Sequence, residues 1–177
     1  LNWTTFAVLD ATHAQVGNDR ISAGTGNDVV IGGLGTETIT VSDGDNIVFG
    51  DEGFVQYQHQ SYTANTSVLG EVSSLFLELA DRFVQGGNES ITVGLGADIV
   101  IAGLGDDAID ASDGDNIVFG DEGTITYQLS TGLRDRIQSR YLDGSGDSPI
   151  HAIEAVVGND VITTGIGNDV AIGGLGS

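Results

Sequence analysis

From Gly17 to Gly53 the chain keeps a nine-residue period, and that period restricts the backbone more than any other feature of the sequence. Residues 23–31 read A-G-T-G-N-D-V-V-I, 32–40 read G-G-L-G-T-E-T-I-T and 41–49 read V-S-D-G-D-N-I-V-F. Each nine has Gly at its fourth place, a carboxylate or carboxamide at its sixth and an aliphatic residue at its eighth (Val30, Ile39 and Val48, with Ile21 one step earlier). A nine divides into six turn residues and three strand residues. Glycine lets the turn pass through positive φ, and the middle strand residue faces inward while its neighbours face outward. Two nines make one coil, with a turn at each edge and a short strand on each face. Residues two nines apart then stack at about 4.8 Å.

Stacking brings sixth-place side chains together: Asp19 with Glu37, Asp28 with Asn46, Glu89 with Asp107, and Asp98 with Asn116. Asp160 and Asp169 hold the same place further on. Bare stacked carboxylates repel, and a hard cation between them turns repulsion into attraction. Ca2+ takes about six to eight oxygens in flexible geometry, which suits a cage of carboxylates and turn carbonyls better than Mg2+ does. Several Ca2+ ions per chain are therefore expected. Asp43 and Asp113, in the two S-D-G-D-N segments, each place a carboxylate near an Asn and join the candidate ligands. Asp45, Asp115, Asp51 and Asp121 read as outward. Asx-rich turns without metal are the plainer alternative, but turns alone do not require an acid at every ninth place.

With these residues the repeat matches G-G-x-G-x-D-x-U-x, a calcium-binding parallel β-helix nonapeptide. The chain resembles the RTX (repeats-in-toxin) β-roll family, and more narrowly the degenerate, long-period RTX-like repeats of giant bacterial surface and secreted proteins. The ladder covers roughly half of the chain, in three blocks. The fold expected is all-β: a parallel β-roll or β-solenoid of nonapeptide half-turns, interrupted by excursions packed on one apolar sheet.

The ladder of 17–53 returns nearly verbatim at 87–123: S-D-G-D-N-I-V-F-G-D-E-G occurs at 42–53 and again at 112–123. The unit is thus a ladder plus an excursion. Residues 1–16 end a preceding excursion, 17–86 and 87–157 are two full repeats with excursions 54–86 and 124–157, and 158–177 open a third. The chain starts and stops within its pattern, without an initiator Met or leader, and is read as part of something longer. Val72, Leu75, Phe76, Leu79 and Phe83 are spaced for a helix in the first excursion, as are Leu129, Leu133, Ile137 and Tyr141 in the second; a hairpin is the other option. D-G-S-G-D at 143–147 lacks the rest of an EF-hand loop and reads as a turn.

Alternate strands differ in character. Arg20-Ile21-Ser22, Thr38-Ile39-Thr40, Ser90-Ile91-Thr92 and Ala108-Ile109-Asp110 are mostly polar on both flanks, whereas Val29-Val30-Ile31, Ile47-Val48-Phe49, Ile99-Val100-Ile101 and Ile117-Val118-Phe119 are apolar throughout. One sheet should be wet outside and the other apolar on both faces, which requires a cover. The excursions could supply it. So could another chain, in self-association through Val29, Ile31, Phe49, Ile99, Ile101 and Phe119.

Composition narrows the function. Asp and Glu total 26 against five Arg and no Lys, a net charge of −21. That excess opposes compaction without counter-ions, and no basic patch offers itself to nucleic acid. Cys is absent, so there is neither a disulfide framework nor a thiolate site. No apolar run is long enough to span a membrane. His13, His59 and His151 share no ligand spacing, and no nucleophile–base motif appears; an enzyme is not expected. The leading expectation is a calcium-stabilised structural module of a large extracellular protein, in contact with neighbouring repeats of the same chain, serving as adhesin stalk, coat or filament. The alternative implied by the resemblance is a calcium-responsive roll attached to a type I-secreted toxin or enzyme, which the long excursions disfavour. Ice binding through stacked T-x-N turns is disfavoured as well, since only Thr25-Gly26-Asn27 fits.

Overall fold

The computed structural model describes residues 4–7, 17–61, 66–74, 86–128, 130–139, 158–174 and 176. Among them the chain forms fifteen strands in three five-stranded sheets and no helix. Numbered along the chain, β1 is Thr4–Ala7, β2 Arg20–Ala23, β3 Val29–Ile31, β4 Thr38–Val41 and β5 Ile47–Phe49. The first excursion supplies β6 (Gly53–Ser61) and β7 (Thr66–Ser74). The second ladder supplies β8 (Ser90–Thr92), β9 (Ile99–Ile101), β10 (Ala108–Asp110) and β11 (Ile117–Phe119). The second excursion gives β12 (Gly123–Tyr127) and β13 (Arg134–Ser139), and β14 (Val161–Thr163) and β15 (Val170–Ile172) follow.

Successive nines alternate between two parallel sheets, ordered β2-β4-β8-β10-β14 and β3-β5-β9-β11-β15. The eighth place sets the register. Ile21, Ile39, Ile91, Ile109 and Ile162 form one column, and Val30, Val48, Val100, Val118 and Ala171 form the other. Except for Ala171, which is exposed at the end of its column, both columns enter one apolar interior together with Val41, Val93, Ala102 and Ala111. Both sheets step over each excursion without a gap in strand order: Ile39 pairs with Ile91, and Ile109 with Ile162. Fourth-place glycine is required on two counts. Gly35 and Gly105 have φ of +141° and +137°, and a Cβ on either would collide with the backbone of the glycine one coil earlier.

The two sheets differ in how they meet solvent. Strands β8 and β10 alternate exposed, buried, exposed, whereas β5, β9 and β11 are buried at every residue. The cover over that second sheet is the excursions themselves, which form an antiparallel sheet ordered β1-β6-β7-β12-β13. Val55, Val72 and Ile125 descend from it onto Ile47, Phe49, Ile99, Ile101, Ile117 and Phe119, and all nine form one apolar cluster. Of the six residues named above for self-association, Phe49, Ile99, Ile101 and Phe119 are buried in this cluster, Ile31 is half-buried and Val29 is 39% exposed. Gly53 and Gly123 open β6 and β12 because the rings of Phe49 and Phe119 occupy the space a Cβ would need.

The two excursions also join each other. Strand β7 pairs with β12, and the Ser73 and Thr124 hydroxyls meet across the seam at 2.7 Å. The helical spacing of the excursions is not realised where the structure describes it. Val72 lies in β7 and Ile137 in β13, opposite Ile125. The tight turn at Gly132, with φ of +68°, returns the chain as a hairpin, and an antiparallel strand packs half-buried Ile137 against the cluster while supplying the ladder bonds that β12 needs. Leu133 stands exposed in that turn. Leu75, Phe76, Leu79, Phe83, Leu129 and Tyr141 lie outside the described residues, as do 143–147. Exposed Arg134 and Arg136 mark the edge strand β13, as charge commonly does on an unpaired edge.

Truncating Phe49 or Phe119 to Ala should cost about 3–5 kcal/mol of folding stability in urea denaturation. Thr40→Ala, on the wet face, should stay within about 0.5 kcal/mol. Equal effects at both faces would contradict the assigned cover.

Candidate metal centre

The turns stack into two edges, and their sixth places differ in chemistry. The first edge carries Asp19, Glu37, Glu89, Asp107 and Asp160, all acids. The second carries Asp28, Asn46, Asp98, Asn116 and Asp169, acid and amide in alternation. Each row follows the strand pairing, so its members are neighbours across coils even where an excursion separates them in the chain.

The second edge is cross-linked by amide hydrogen bonds, which leave only Asp28 Oδ2 and Asp98 Oδ2 buried without a partner. The Asp28 amide donates to Asn46 Oδ1 (3.1 Å), the Asn46 amide to Asp98 Oδ1 (2.9 Å), the Asp98 amide to Asn116 Oδ1 (3.1 Å) and the Asn116 amide to Asp169 Oδ1 (3.0 Å). The side-chain nitrogen of Asn46 then donates to the carbonyls of Ser42 (3.0 Å) and Gly44 (2.9 Å) and to Asp98 Oδ1 (3.0 Å). Asn116 repeats the carbonyl contacts with Ser112 (3.3 Å) and Gly114 (3.4 Å). The amide nitrogen thus takes the turn carbonyls and the neighbouring carboxylate that a cation would otherwise bridge. Asp43 and Asp113 lie exposed on this edge and accept the Leu95 and Ile166 amides at 2.9 and 2.7 Å. Asp45 and Asp115 are exposed too, as expected, and accept the Ala97 and Asn168 amides.

The first edge is different. The Glu89 amide donates to Asp107 Oδ1 (2.8 Å) and the Asp107 amide to Asp160 Oδ1 (3.0 Å), so the Asp side chains keep the ladder. Glu37 and Glu89 are one methylene longer. They are 1% and 2% exposed, and none of their four carboxylate oxygens has a hydrogen-bond partner. Asp107 Oδ2 and Asp160 Oδ2 are likewise buried and unpartnered. Asp51 is the residue sequence reasoning missed. Expected outward, it turns in: Oδ2 accepts the Leu104 amide at 2.8 Å, and Oδ1 is buried without a partner. Carboxylate oxygens of Glu37, Asp51 and Glu89 lie within 4.8 Å of one another. Asp121, at the corresponding position of the second repeat, is also buried rather than outward. The available signal was the G-D-E-G that ends each ladder, at 50–53 and 120–123.

Burial without compensating cations shifts these groups. Loss of solvent, then the charge of Asp19, pushes Glu37 up to about 7. Loss of solvent outweighs the Leu104 amide and, with the charge of Asp107, pushes Asp51 up to about 8. Glu89 and Asp107, adjacent and buried, are both raised, with desolvation the largest cause in each. Asp98 on the second edge is raised by burial as well, against the Asn46 hydrogen bonds that lower it. Orphaned buried carboxylate oxygens, most of them on the first edge, fit a hard divalent cation. When bound, calcium would neutralise the carboxylates of Glu37, Asp51, Glu89, Asp107 and Asp160.

Edge and sheets together define an acid-lined, all-β repeat module. The family model for the RTX calcium-binding nonapeptide repeat matches it in four copies, at residues 13–48, 31–53, 85–124 and 153–177. The matches span more than half of the sequence, and the chain belongs to that family: it is a calcium-binding repeat module. Searches of curated proteins and of solved structures find no match.

Two measurements probe the edges. The folded-state values of Glu37 and Asp51 lie above their ordinary 4.5 and 3.8, so protons favour the folded state. That contribution is complete below about pH 4 and is lost as pH rises through 7 to 8. In EDTA the thermal midpoint should therefore fall between pH 5 and pH 8, and calcium should restore it at pH 8; a flat profile would contradict the assignment. On the other edge, Asn46→Asp removes the amide donors and sets a carboxylate beside Asp98. It should destabilise the metal-free protein by about 1–3 kcal/mol, with most of the loss recovered in calcium. Equal loss with and without calcium would show that the amide does not stand in for an ion.

Proposed function

We propose that this chain is a calcium-folded structural module: a parallel β-roll, covered on one face by its own excursions, repeated along a large secreted or surface protein. The observation that carries this proposal is the first edge, where acids at five successive sixth places remain in register across both excursions. Repulsion along such a row grows with every coil and is relieved by ions bound in proportion. A long roll would then be unfolded where calcium is scarce and rigid where it is abundant, as outside cells. Extracellular calcium modules work at about 10⁻⁴–10⁻³ M. No helix among the described residues is long and apolar enough to cross a membrane.

Growth by repetition fits a stalk, coat or filament. The unit is ladder plus excursion, 17–86 and 87–157, with 158–177 beginning the next. Neighbouring units share both parallel sheets and also the seam between β7 and β12, so each added repeat extends three sheets at once. The role is mechanical and not catalytic, because stacking already accounts for the carboxylate pairs. Association between chains through the apolar sheet would require the antiparallel cover to lift.

Calcium titrated into EDTA-treated protein, followed by far-UV circular dichroism and light scattering, tests this function. A cooperative gain of β-signal at millimolar calcium with the protein still monomeric is expected. Growth in particle size with the same transition would favour a filament formed through exposed sheet. A β-signal indifferent to calcium would overturn the proposal.

A further inference from the structure

On the first edge, the second place of the turn is held in order by Gly33, Asp51, Gly103, Asp121 and Gly174. The three glycines have positive φ, of +108°, +114° and +82°. An Asp side chain is disfavoured in that conformation, and neither Asp51 nor Asp121 adopts it: Ser112 is the one non-glycine residue with positive φ among those described. Asp occurs where the chain does not complete the turn and leaves for an excursion instead. Asp51 follows β5 by two residues and precedes β6; Asp121 stands in the same relation to β11 and β12. The exits are thus the places on this edge where a second-place carboxylate can be built in, and both exits carry one.

Each exit meets a re-entry. The first excursion returns through Gly86 and Glu89 into β8, and Glu37 belongs to the coil before. The Asp51 carboxylate is held against Gly86 and Gly103, where an added Cβ would run into it, and its oxygen lies within 4.8 Å of those of Glu37 and Glu89. The second exit resembles the first in its packing, but among the described residues only Glu37, Asp51 and Glu89 bring three carboxylate oxygens within 4.8 Å of one another. Asp121 packs on Gly174 as Asp51 packs on Gly103, and Asp160 lies over Gly120 as Glu89 lies over Gly50. Asp107 is 2% exposed, with Oδ2 unpartnered.

We propose that the first excursion is closed at its neck by one divalent cation, held by Glu37, Asp51 and Glu89. The buried, partnerless oxygens of Glu37 and Glu89 point to an ion beyond the acidity of the cluster. Such a site differs from one within the uninterrupted ladder, where the second place is glycine. It rests on the calcium reading of the first edge and gives the ion a further role. The ion ties exit and re-entry to the preceding coil, so calcium controls whether the antiparallel cover stays down. Closing the neck removes most of the loop freedom of the excursion, and opening it leaves three carboxylates to repel.

The test uses the full chain and calcium chloride, with Asp51→Asn as the variant and Asp45→Asn as an outward control. Asn keeps an oxygen for the Leu104 amide, so the turn can still form. Glu89→Gln probes the same neck from its other side. Calorimetric titration should show each neck variant losing one ion or weakening one site at least tenfold, with Asp45→Asn unchanged. At sub-saturating calcium, amide exchange in β6 and β7 should quicken at least tenfold in Asp51→Asn and Glu89→Gln, while β2 and β4 keep their protection. Undiminished binding in the neck variants, or equal loss of protection in every strand, would overturn the staple while leaving a calcium edge intact. Wild-type protein that binds no calcium would overturn the edge and the staple together.

Discussion

Five acidic side chains stacked along one edge, most of them buried, set the terms for the whole structure. A buried carboxylate is tolerated when something takes its charge or its lone pairs. Asp107 and Asp160 on this edge each give one oxygen to the amide of the neighbouring coil. Glu37 and Glu89 give none. With 26 acids against five Arg, the chain as a whole carries far more negative charge than its own cations can offset. Divalent ions at this edge would relieve part of that repulsion and favour the apolar interior built from the Ile and Val columns.

The other edge shows the same backbone with a different solution. Replacing every second acid by Asn lowers the charge, and the amide nitrogen supplies the positive end that the carbonyls of Ser42 and Gly44 need. The module thus combines an all-acid edge with one where amides take up part of the load and leave Asp28 Oδ2 and Asp98 Oδ2 as its buried orphans. The two faces are divided in a similar way. One sheet keeps Thr, Ser and Asp toward water; the other is apolar outside, and the excursions shield it with Val55, Val72 and Ile125. Both excursions leave from the all-acid edge, so the cover and the carboxylates meet at the necks.

Much of this was legible in the sequence because a nine-residue period leaves little choice. The eighth-place Ile and Val columns, the alternation of wet and apolar sheets and the sixth-place rows follow from counting. Three features did not. Pairing of Ile39 with Ile91 depends on how an excursion closes, which no local spacing encodes. The excursions were spaced for a helix by Val72 and Ile137, yet both residues are also compatible with alternation, and an apolar sheet awaiting a cover decides for strands. Asp51 and Asp121 looked outward because the second place of a regular turn cannot direct a side chain inward. They do so only where the turn is abandoned, and only the repeated G-D-E-G marked those positions.

Anomalous difference density from crystals grown with calcium, or with a lanthanide in its place, tests most directly whether ions sit on the all-acid edge. Peaks beside Glu37, Asp51, Glu89 and Asp107, with none beside Asn46 or Asn116, are predicted. Density confined to the Asn-bearing edge, or a well-ordered first edge with no ion on it, would contradict that placement.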